Sequence, residues 1–339
     1  MTPSHVTILS DDLTGALDAA APLAQHDAPI VVSMTEVAAS RLAVSTETRD
    51  GVSRDEAARR VAEFFAARRD RIGQSGLWIK KIDSMLRGPW AAETAAAARD
   101  FDCIVVAPAF PEMGRRTVNG RQQVLGADSK WQDVGEPIAT ALQRAGLHSA
   151  PWRIDETPPE ARILVADAVT PEHLDRVTRS LASKASVLWV GSGGVAEALA
   201  GRTPFIPAPT TDLFLIGTRH PVTQCQTARL EAQCAWARLV DPAREVIGAR
   251  EAAAALNYAI VELLEGTVPV SVLVTGGATL AWLTKLAAVD QLHTIGRIAP
   301  GLPVSYIHGG AWHGVIVISK SGGFGDPDLL VRLALSGDV

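Results

Sequence analysis

Only three cysteines stand in 339 residues, Cys103, Cys225 and Cys234, and no two are spaced as a C-x-x-C pair. That scatter fits a reducing cytoplasm with buried thiols and no structural zinc. Aromatic residues make up 5% of the chain, charged residues 20% and apolar residues 47%, which describes an alanine-rich α/β protein and excludes a disordered or fibrous one. The net charge is −5 and no basic stripe occurs, so no nucleic-acid partner is expected. No run is long and apolar enough to span a bilayer, and the first residues lack the pattern of a signal peptide, so the expectation is a cytoplasmic protein with no membrane partner. A G-x-x-x-x-G-K-[ST] loop is missing and Ser192 is not in a G-x-S-x-G elbow, which excludes a P-loop enzyme and argues against an α/β-hydrolase. His308 and His313 flank a glycine-rich stretch without a nearby cysteine or acid, so no metal is assigned to them.

What is present is an alternation of strand-like and helical patterns. Val6-Thr7-Ile8-Leu9 reads as a strand, and Leu13, Leu17, Ala20 and Ala24 repeat at helical spacing after it. Asp11 and Asp12 lie between the two, at the carboxyl end of the strand, where ligands of open α/β sheets bind. One of the two acids is expected to cap the helix, leaving the other for a substrate hydroxyl or a metal. Leu77-Trp78-Ile79 runs into Lys80-Lys81-Ile82-Asp83-Ser84-Met85-Leu86-Arg87-Gly88. Cys103–Ala107 empties into a proline- and glycine-bearing stretch in which Arg115, Arg116 and Thr117 are expected on an irregular loop. Residues 122–159 carry little pattern. The Pro-rich passage Thr203–Thr210 is the candidate linker, which divides the chain into domains at 1–206 and 207–339. Beyond it, strand-like runs lead into Gly217-Thr218-Arg219-His220-Pro221, Thr275-Gly276-Gly277-Ala278-Thr279 and Ser319-Lys320-Ser321-Gly322-Gly323-Phe324-Gly325.

Acids and cations thus collect at strand ends in the first half, a composition suited to a small hydroxylated anion. Glycine-rich strand-to-helix turns collect in the second, where backbone N–H groups can cradle phosphate. An acid-binding half and a phosphate-binding half are the parts of a kinase, whose catalysis is mostly positioning and charge stabilisation.

Asp11-Asp12-Leu13-Thr14-Gly15-Ala16, Lys81–Gly88, the run from Ala107 to Gly120, and Lys320-Ser321-Gly322-Gly323-Phe324-Gly325 together resemble the four-carbon acid sugar kinase family. The resemblance implies two α/β domains with largely parallel sheets and an active site in the cleft between them. The first, 1–206, would take the sugar acid and the second, 207–339, the nucleotide. It also implies ATP-dependent phosphorylation of the terminal hydroxyl of an acid such as erythronate, threonate or 3-oxo-tetronate, with Mg2+ accompanying ATP. By position, Asp12 is the expected base, with Asp11, Lys81, Asp83, Arg87 and Arg115 at the substrate. His220, Gly276, Gly277, Ala278, Thr279, Gly322 and Gly323 are expected at the nucleotide. The chain departs from the family pattern at Met85, where the family has Thr, at His220-Pro221, where it has Ser-Pro, and at Ala278, where it has an acid. A non-catalytic binder of a sugar acid is the alternative, and a homodimer is compatible with either.

Overall fold

The computed structural model describes residues 4–74, 76–126, 128–184, 186–201, 203–242, 244 and 248–335. The chain divides into two compact units, the first made of Met1–Leu23 and Met34–Thr203, the second of Ala24–Ser33 and Pro204–Val339.

In chain order, β1 (Val6–Ser10) leads to α1 (Leu13–Ala20), and β2 (Ile30–Ser33) precedes β3 (Arg41–Ser45), α2 (Arg54–Ala66), β4 (Leu77–Lys81), α3 (Trp90–Ala97) and β5 (Cys103–Ala107). There follow β6 (Arg115–Val118), β7 (Arg121–Leu125), β8 (Trp131–Asp133), α4 (Ile138–Arg144), β9 (Ala150–Trp152), β10 (Ile163–Ala166), α5 (Pro171–Ser180), β11 (Val187–Gly191) and α6 (Gly193–Ala200). The later elements are β12 (Leu213–Ile216), α7 (Pro221–Gln233), β13 (Arg238–Val240), α8 (Ala249–Glu265), β14 (Ser271–Thr275), α9 (Gly277–Leu286), β15 (Gln291–Ala299), β16 (Leu302–His308), β17 (Ile316–Lys320) and α10 (Leu329–Ala334).

In the first unit the strands run in the order β3-β1-β4-β11-β5-β10-β9, every neighbouring pair parallel. β5, β10 and β11 are buried along their whole length, as expected of strands covered on both faces, and their sequences are continuous apolar runs with no alternation. Parallel pairing brings the carboxyl ends of β1, β3 and β4 together: Ser10 lies level with Ser45 on one side and Lys81 on the other. A separate antiparallel sheet of β6, β7 and β8 follows β5. The run Arg115–Val118 is therefore a strand and not the irregular loop expected from Pro111 and Gly114. Gly114, at φ 71°, ends the irregular stretch in one residue, and Arg115 to Val118 then pair with Val124 to Arg121.

In the second unit β13, β12, β14 and β17 are parallel neighbours, and β16, β15 and β2 extend the sheet with antiparallel pairs. Leu292 pairs with Val32 and Thr294 with Ile30, which is why Ala24–Ser33 belongs to this unit, an excursion that an unbroken first domain does not contain. The core gathers Phe214, Ile216, Leu273 and Ile318 from the strands with Leu230 and Leu330 from the helices. Among the described residues no helix is long and apolar enough to cross a membrane.

Candidate functional site

In the first unit, the chain leaves β1 directly into the turn that starts α1. Asp12 is the N-cap of that helix: its Oδ1 accepts the Gly15 N–H at 2.8 Å and its Oδ2 accepts the Thr14 hydroxyl at 2.7 Å. Asp11 is the more deeply buried acid, 1% exposed. Both carboxylates are held by one residue that the sequence reading passed over, Arg49. Its Nε and Nη2 donate to the two oxygens of Asp11 at 3.0 and 2.8 Å, and its Nη1 donates to Oδ2 of Asp12 at 2.5 Å. The loop after β3 carries Arg49 there, because the N–H groups of Thr48 and Arg49 donate to the Asp11 carbonyl and the Thr46 hydroxyl donates to the Ser10 carbonyl. Burial works against the charge of Asp11, but Arg49, with Lys80 and Lys81 behind it, keeps the carboxyl below its ordinary pKa. Burial likewise opposes the charge of Arg49, and Asp12 and Asp11 more than offset it.

Glu47 stands on the same loop with φ 47°. Burial raises its pKa, and the charge of Asp12 adds to this against the Ser45 hydroxyl, which donates to Oε1 at 2.5 Å. A carboxyl with raised affinity for a proton beside an ionised one is a pattern of acid–base sites. No periodicity marks Glu47 in the sequence.

The two lysines that end β4 have different surroundings. Lys80 is fully buried and paired with Glu93 at 2.8 Å, and Thr48 donates to the other oxygen of Glu93. Lys81 is 5% exposed, and its Nζ donates to the Ile82 carbonyl at 3.2 Å. Among the described residues no carboxylate lies within 4.0 Å of it. Gly15 makes room for this ammonium, since a Cβ there would stand 3.1 Å from Lys81 Nζ, 2.7 Å from Ser10 Oγ and 2.5 Å from Asp12 Oδ1.

Asp83 and Arg87 are brought to the same end of the sheet but face each other. Nε and Nη2 of Arg87 donate to the two oxygens of Asp83 at 2.6 and 3.0 Å, and the Arg87 N–H adds a third bond at 3.2 Å. Burial pushes the Asp83 carboxyl up, but Arg87 and Arg49 outweigh it and bring the pKa down to about 2. Arg115 opens β6 and donates to the Met113 carbonyl. Burial lowers its pKa, opposed by the charge of Asp83. Gln122, fully buried in a stretch without sequence pattern, donates to the carbonyls of Ser84 at 2.8 Å and Pro108 at 3.2 Å and so ties the small sheet to the Lys81–Gly88 loop.

In the second unit the expected residues collect at the carboxyl ends of β12, β14 and β17, which are neighbours. Gly276, at φ 93°, turns the chain from β14 into α9, whose first residues are Gly277, Ala278 and Thr279. Ala278 is exposed. The Thr279 hydroxyl is buried without a hydrogen-bond partner among the described residues, and Gly217 packs so closely on it that a Cβ there would overlap it at 1.6 Å. His220 caps α7, with Nδ1 accepting the Val222 N–H at 3.2 Å and Pro221 at the first helical position. The imidazole lies against Gly323, where a Cβ would stand 3.2 Å from Nε2, and Gly322 lies against Thr218. Among the described residues no group of three or more His, Cys, Asp or Glu side chains is arranged to hold a metal.

Residues 6–150 match the model of a sugar-binding N-terminal domain and residues 240–330 that of a nucleotide-binding C-terminal domain. The chain is 33% identical to a D-threonate kinase of Cupriavidus necator over 276 residues, covering 70% of this chain and 66% of that relative. It is 27% identical to a D-threonate kinase of Bordetella bronchiseptica, covering 97% of this chain and 96% of the other. A solved structure from Salmonella typhimurium LT2 shares the fold with a TM-score of 0.73 at 21% identity, over 97% of this chain and 98% of that one. With both domain models matched in order, and with relatives of this kind along its length, the chain belongs to the four-carbon acid sugar kinase family.

Proposed function

We propose that this protein transfers the γ-phosphoryl group of ATP to the terminal hydroxyl of a four-carbon sugar acid of the threonate or erythronate type. The observation that carries the reading is the Asp12–Arg49–Lys81 cluster at the carboxyl ends of β1 and β4, which offers an acid, a fixed guanidinium and a buried ammonium with no carboxylate partner among the described residues. The names of the D-threonate kinase relatives support the substrate class.

In this reading Asp12 orients the substrate hydroxyl and takes its proton. A carboxylate accepting from Thr14, Gly15 and Arg49 is well positioned, and phosphoryl transfer depends more on positioning than on base strength. Asp11 acts through Arg49, holding its fork in place. Lys81 and Arg115 take the substrate carboxylate, and the Asp83–Arg87 pair shapes the loop beside them. In the second unit the start of α9 at Gly276, Gly277 and Thr279, and the glycines 322 and 323 beside His220, take the phosphates of ATP. The exposed Ala278 contributes its backbone N–H only. Mg2+ would enter with the nucleotide, since among the described residues no group of three or more acids, histidines or cysteines would hold it alone, and it would supply neutralisation of phosphate charge.

The test is ADP release with purified protein, ATP and Mg2+ against the isomers of threonate and erythronate. Turnover with one of them, and a phosphorylated acid in the products, is the expected result. Tight binding of an acid with no ADP above background would replace the kinase reading by the non-catalytic binder.

A further inference from the structure

The side chain of Lys320 has no part in the reading above, although it is among the largest fully buried side chains of the described residues, 1% exposed at the end of β17. Its Nζ donates to the Thr223 hydroxyl at 3.0 Å and to the carbonyls of Ser321 and Phe324 at 3.1 Å each, with the Gly322 carbonyl at 3.5 Å. The Thr223 hydroxyl in turn donates to the Gly322 carbonyl at 2.7 Å. No carboxylate among the described residues pairs with this ammonium. Burying a charge without a counterion is unfavourable unless its hydrogen bonds are satisfied, and here backbone carbonyls of the glycine loop supply most of them.

The consequence follows from peptide geometry. In a trans peptide the carbonyl of one residue and the N–H of the next point in opposite directions, and the described chain contains no cis peptide. Drawing the carbonyls of Ser321, Gly322 and Phe324 towards Nζ therefore turns the N–H groups of Gly322, Gly323 and Gly325 away from it. None of these three N–H groups donates to a protein acceptor among the described residues. Gly322 and Gly323 are successive, while the Phe324 N–H before Gly325 donates back to the Ser321 carbonyl at 3.1 Å, and unbonded amides pointing out of such a glycine loop form a concavity for an anion. We propose that Lys320 is a positioning residue for phosphate recognition: its ammonium fixes the 321–325 loop from beneath so that the amides of Gly322, Gly323 and Gly325 are presented to the phosphates of the nucleotide. This rests on the nucleotide reading of the second unit.

Burial alone brings Lys320 down from 10.5 to about 8, so the device is sensitive to mild alkali. The titratable groups of the helices beside it are His220, Cys225, Arg229 and Glu231 on α7, and Asp326, Asp328 and Arg332 at α10. Asp326 is paired with Arg332, Asp328 with Arg229 and Glu231 with Arg244, which leaves no acid among the described residues paired with Nζ to keep the proton on it. A neutral amine has two N–H donors and a lone pair in place of three donors, so the loop loosens as pH rises through about 8.

Calorimetric titration of ATP with Mg2+, and in parallel of inorganic tripolyphosphate, into the wild type, Lys320→Met and Thr223→Val at about pH 7 and about pH 9 tests this. The expected result is a Kd about tenfold to a hundredfold weaker in Lys320→Met at the lower pH, on the scale of lost hydrogen bonds to a charged group. A smaller weakening is expected in Thr223→Val. The wild type should weaken between the two pH values and Lys320→Met should not, while the sugar acid binds all three alike. Equal affinity of Lys320→Met and wild type, or a pH response that survives the substitution, overturns the proposal. Should Lys320→Met fail to fold, as shown by loss of acid binding, the wild-type pH response together with Thr223→Val decides. A wild type that binds acid but neither phosphate ligand at about pH 7 overturns the nucleotide reading itself, an outcome distinct from equal binding by wild type and variant.

Discussion

The ends of β1 and β4 in the first unit and the ends of β14 and β17 in the second hold their polar groups in opposite ways. In the first unit full charges are set against one another: Arg49 against Asp11 and Asp12, Arg87 against Asp83, Lys80 against Glu93. In the second, carboxylates are absent from the expected site residues, and one buried ammonium is set against backbone carbonyls. Paired charges fix side chains whose own groups meet the ligand, which suits a small acid recognised by its carboxylate and hydroxyls. A carbonyl-bound lysine fixes a backbone, which suits phosphates recognised by amides whatever base is attached to them.

If the first unit is built on paired charge, breaking its central pair has the largest effect. Arg49→Met leaves Asp11 buried with its main partner gone, and losing one member of a buried pair typically costs about 3–5 kcal/mol. The expected outcome is a clear fall in the denaturant midpoint together with loss of turnover. A variant as stable as the wild type would mean that Lys80 and Lys81 alone neutralise Asp11.

Asp12→Asn should separate chemistry from fold. The amide oxygen can still accept the Gly15 N–H, so the cap survives, while proton acceptance does not, and the loss of a general base lowers kcat by about 10²–10⁴-fold. The measurement is kcat beside the melting temperature. Near-normal turnover would shift attention to Glu47, the neighbouring acid whose pKa burial and Asp12 raise.

That prediction also marks where the sequence is legible and where it is not. The β1–Asp11–Asp12–α1 unit can be read from the chain because strand, acid and helix are contiguous, and so can the cations that end β4. Arg49 cannot, since nothing in Thr46-Glu47-Thr48-Arg49 distinguishes a surface loop from one sewn to the end of β1 by three backbone hydrogen bonds. Gln122 is invisible for the same reason, its role being set by carbonyls 38 and 14 residues away. The glycine loop at 321–325 is legible as a phosphate candidate, but the lysine beneath it looks like any strand-terminal cation until burial is known. Ile30-Val31-Val32 is a β-branched apolar run of the kind that forms strands, and only the register with β15 shows which unit it joins.

The charge-pairing view makes a pH prediction for the first unit opposite in direction to the one for Lys320. Asp83 has its folded pKa brought to about 2 from 3.8, so its pairing adds stability that is fully present above the unfolded pKa and is lost as pH falls through the folded value. The window is therefore about pH 4 to 2, and the amount is about 2 kcal/mol before discounting for the partial exposure of Arg87. Urea unfolding of the wild type and Arg87→Met across this range should converge towards low pH. Curves that stay parallel would show that Asp83 owes its acidity to Arg49, the other cation acting on it.

The smallest effect is expected at His220, and it tests whether the second unit truly relies on backbone and not on side-chain charge. His220 meets α7 as an N-cap, using Nδ1 to accept the Val222 N–H, with Pro221 giving the first helical φ. Replacing an N-cap acceptor with alanine costs about 1 kcal/mol, whereas serine supplies an equivalent oxygen. His220→Ala should therefore lower the melting temperature slightly and weaken ATP binding a few-fold by loosening the turn against which Gly322 and Gly323 pack, and His220→Ser should restore both. The serine variant is the sharper of the two. If it regains stability but not ATP affinity, the imidazole itself meets the nucleotide, and the backbone account of the second unit must make room for a side chain at the position 3.2 Å from the Gly323 Cβ site.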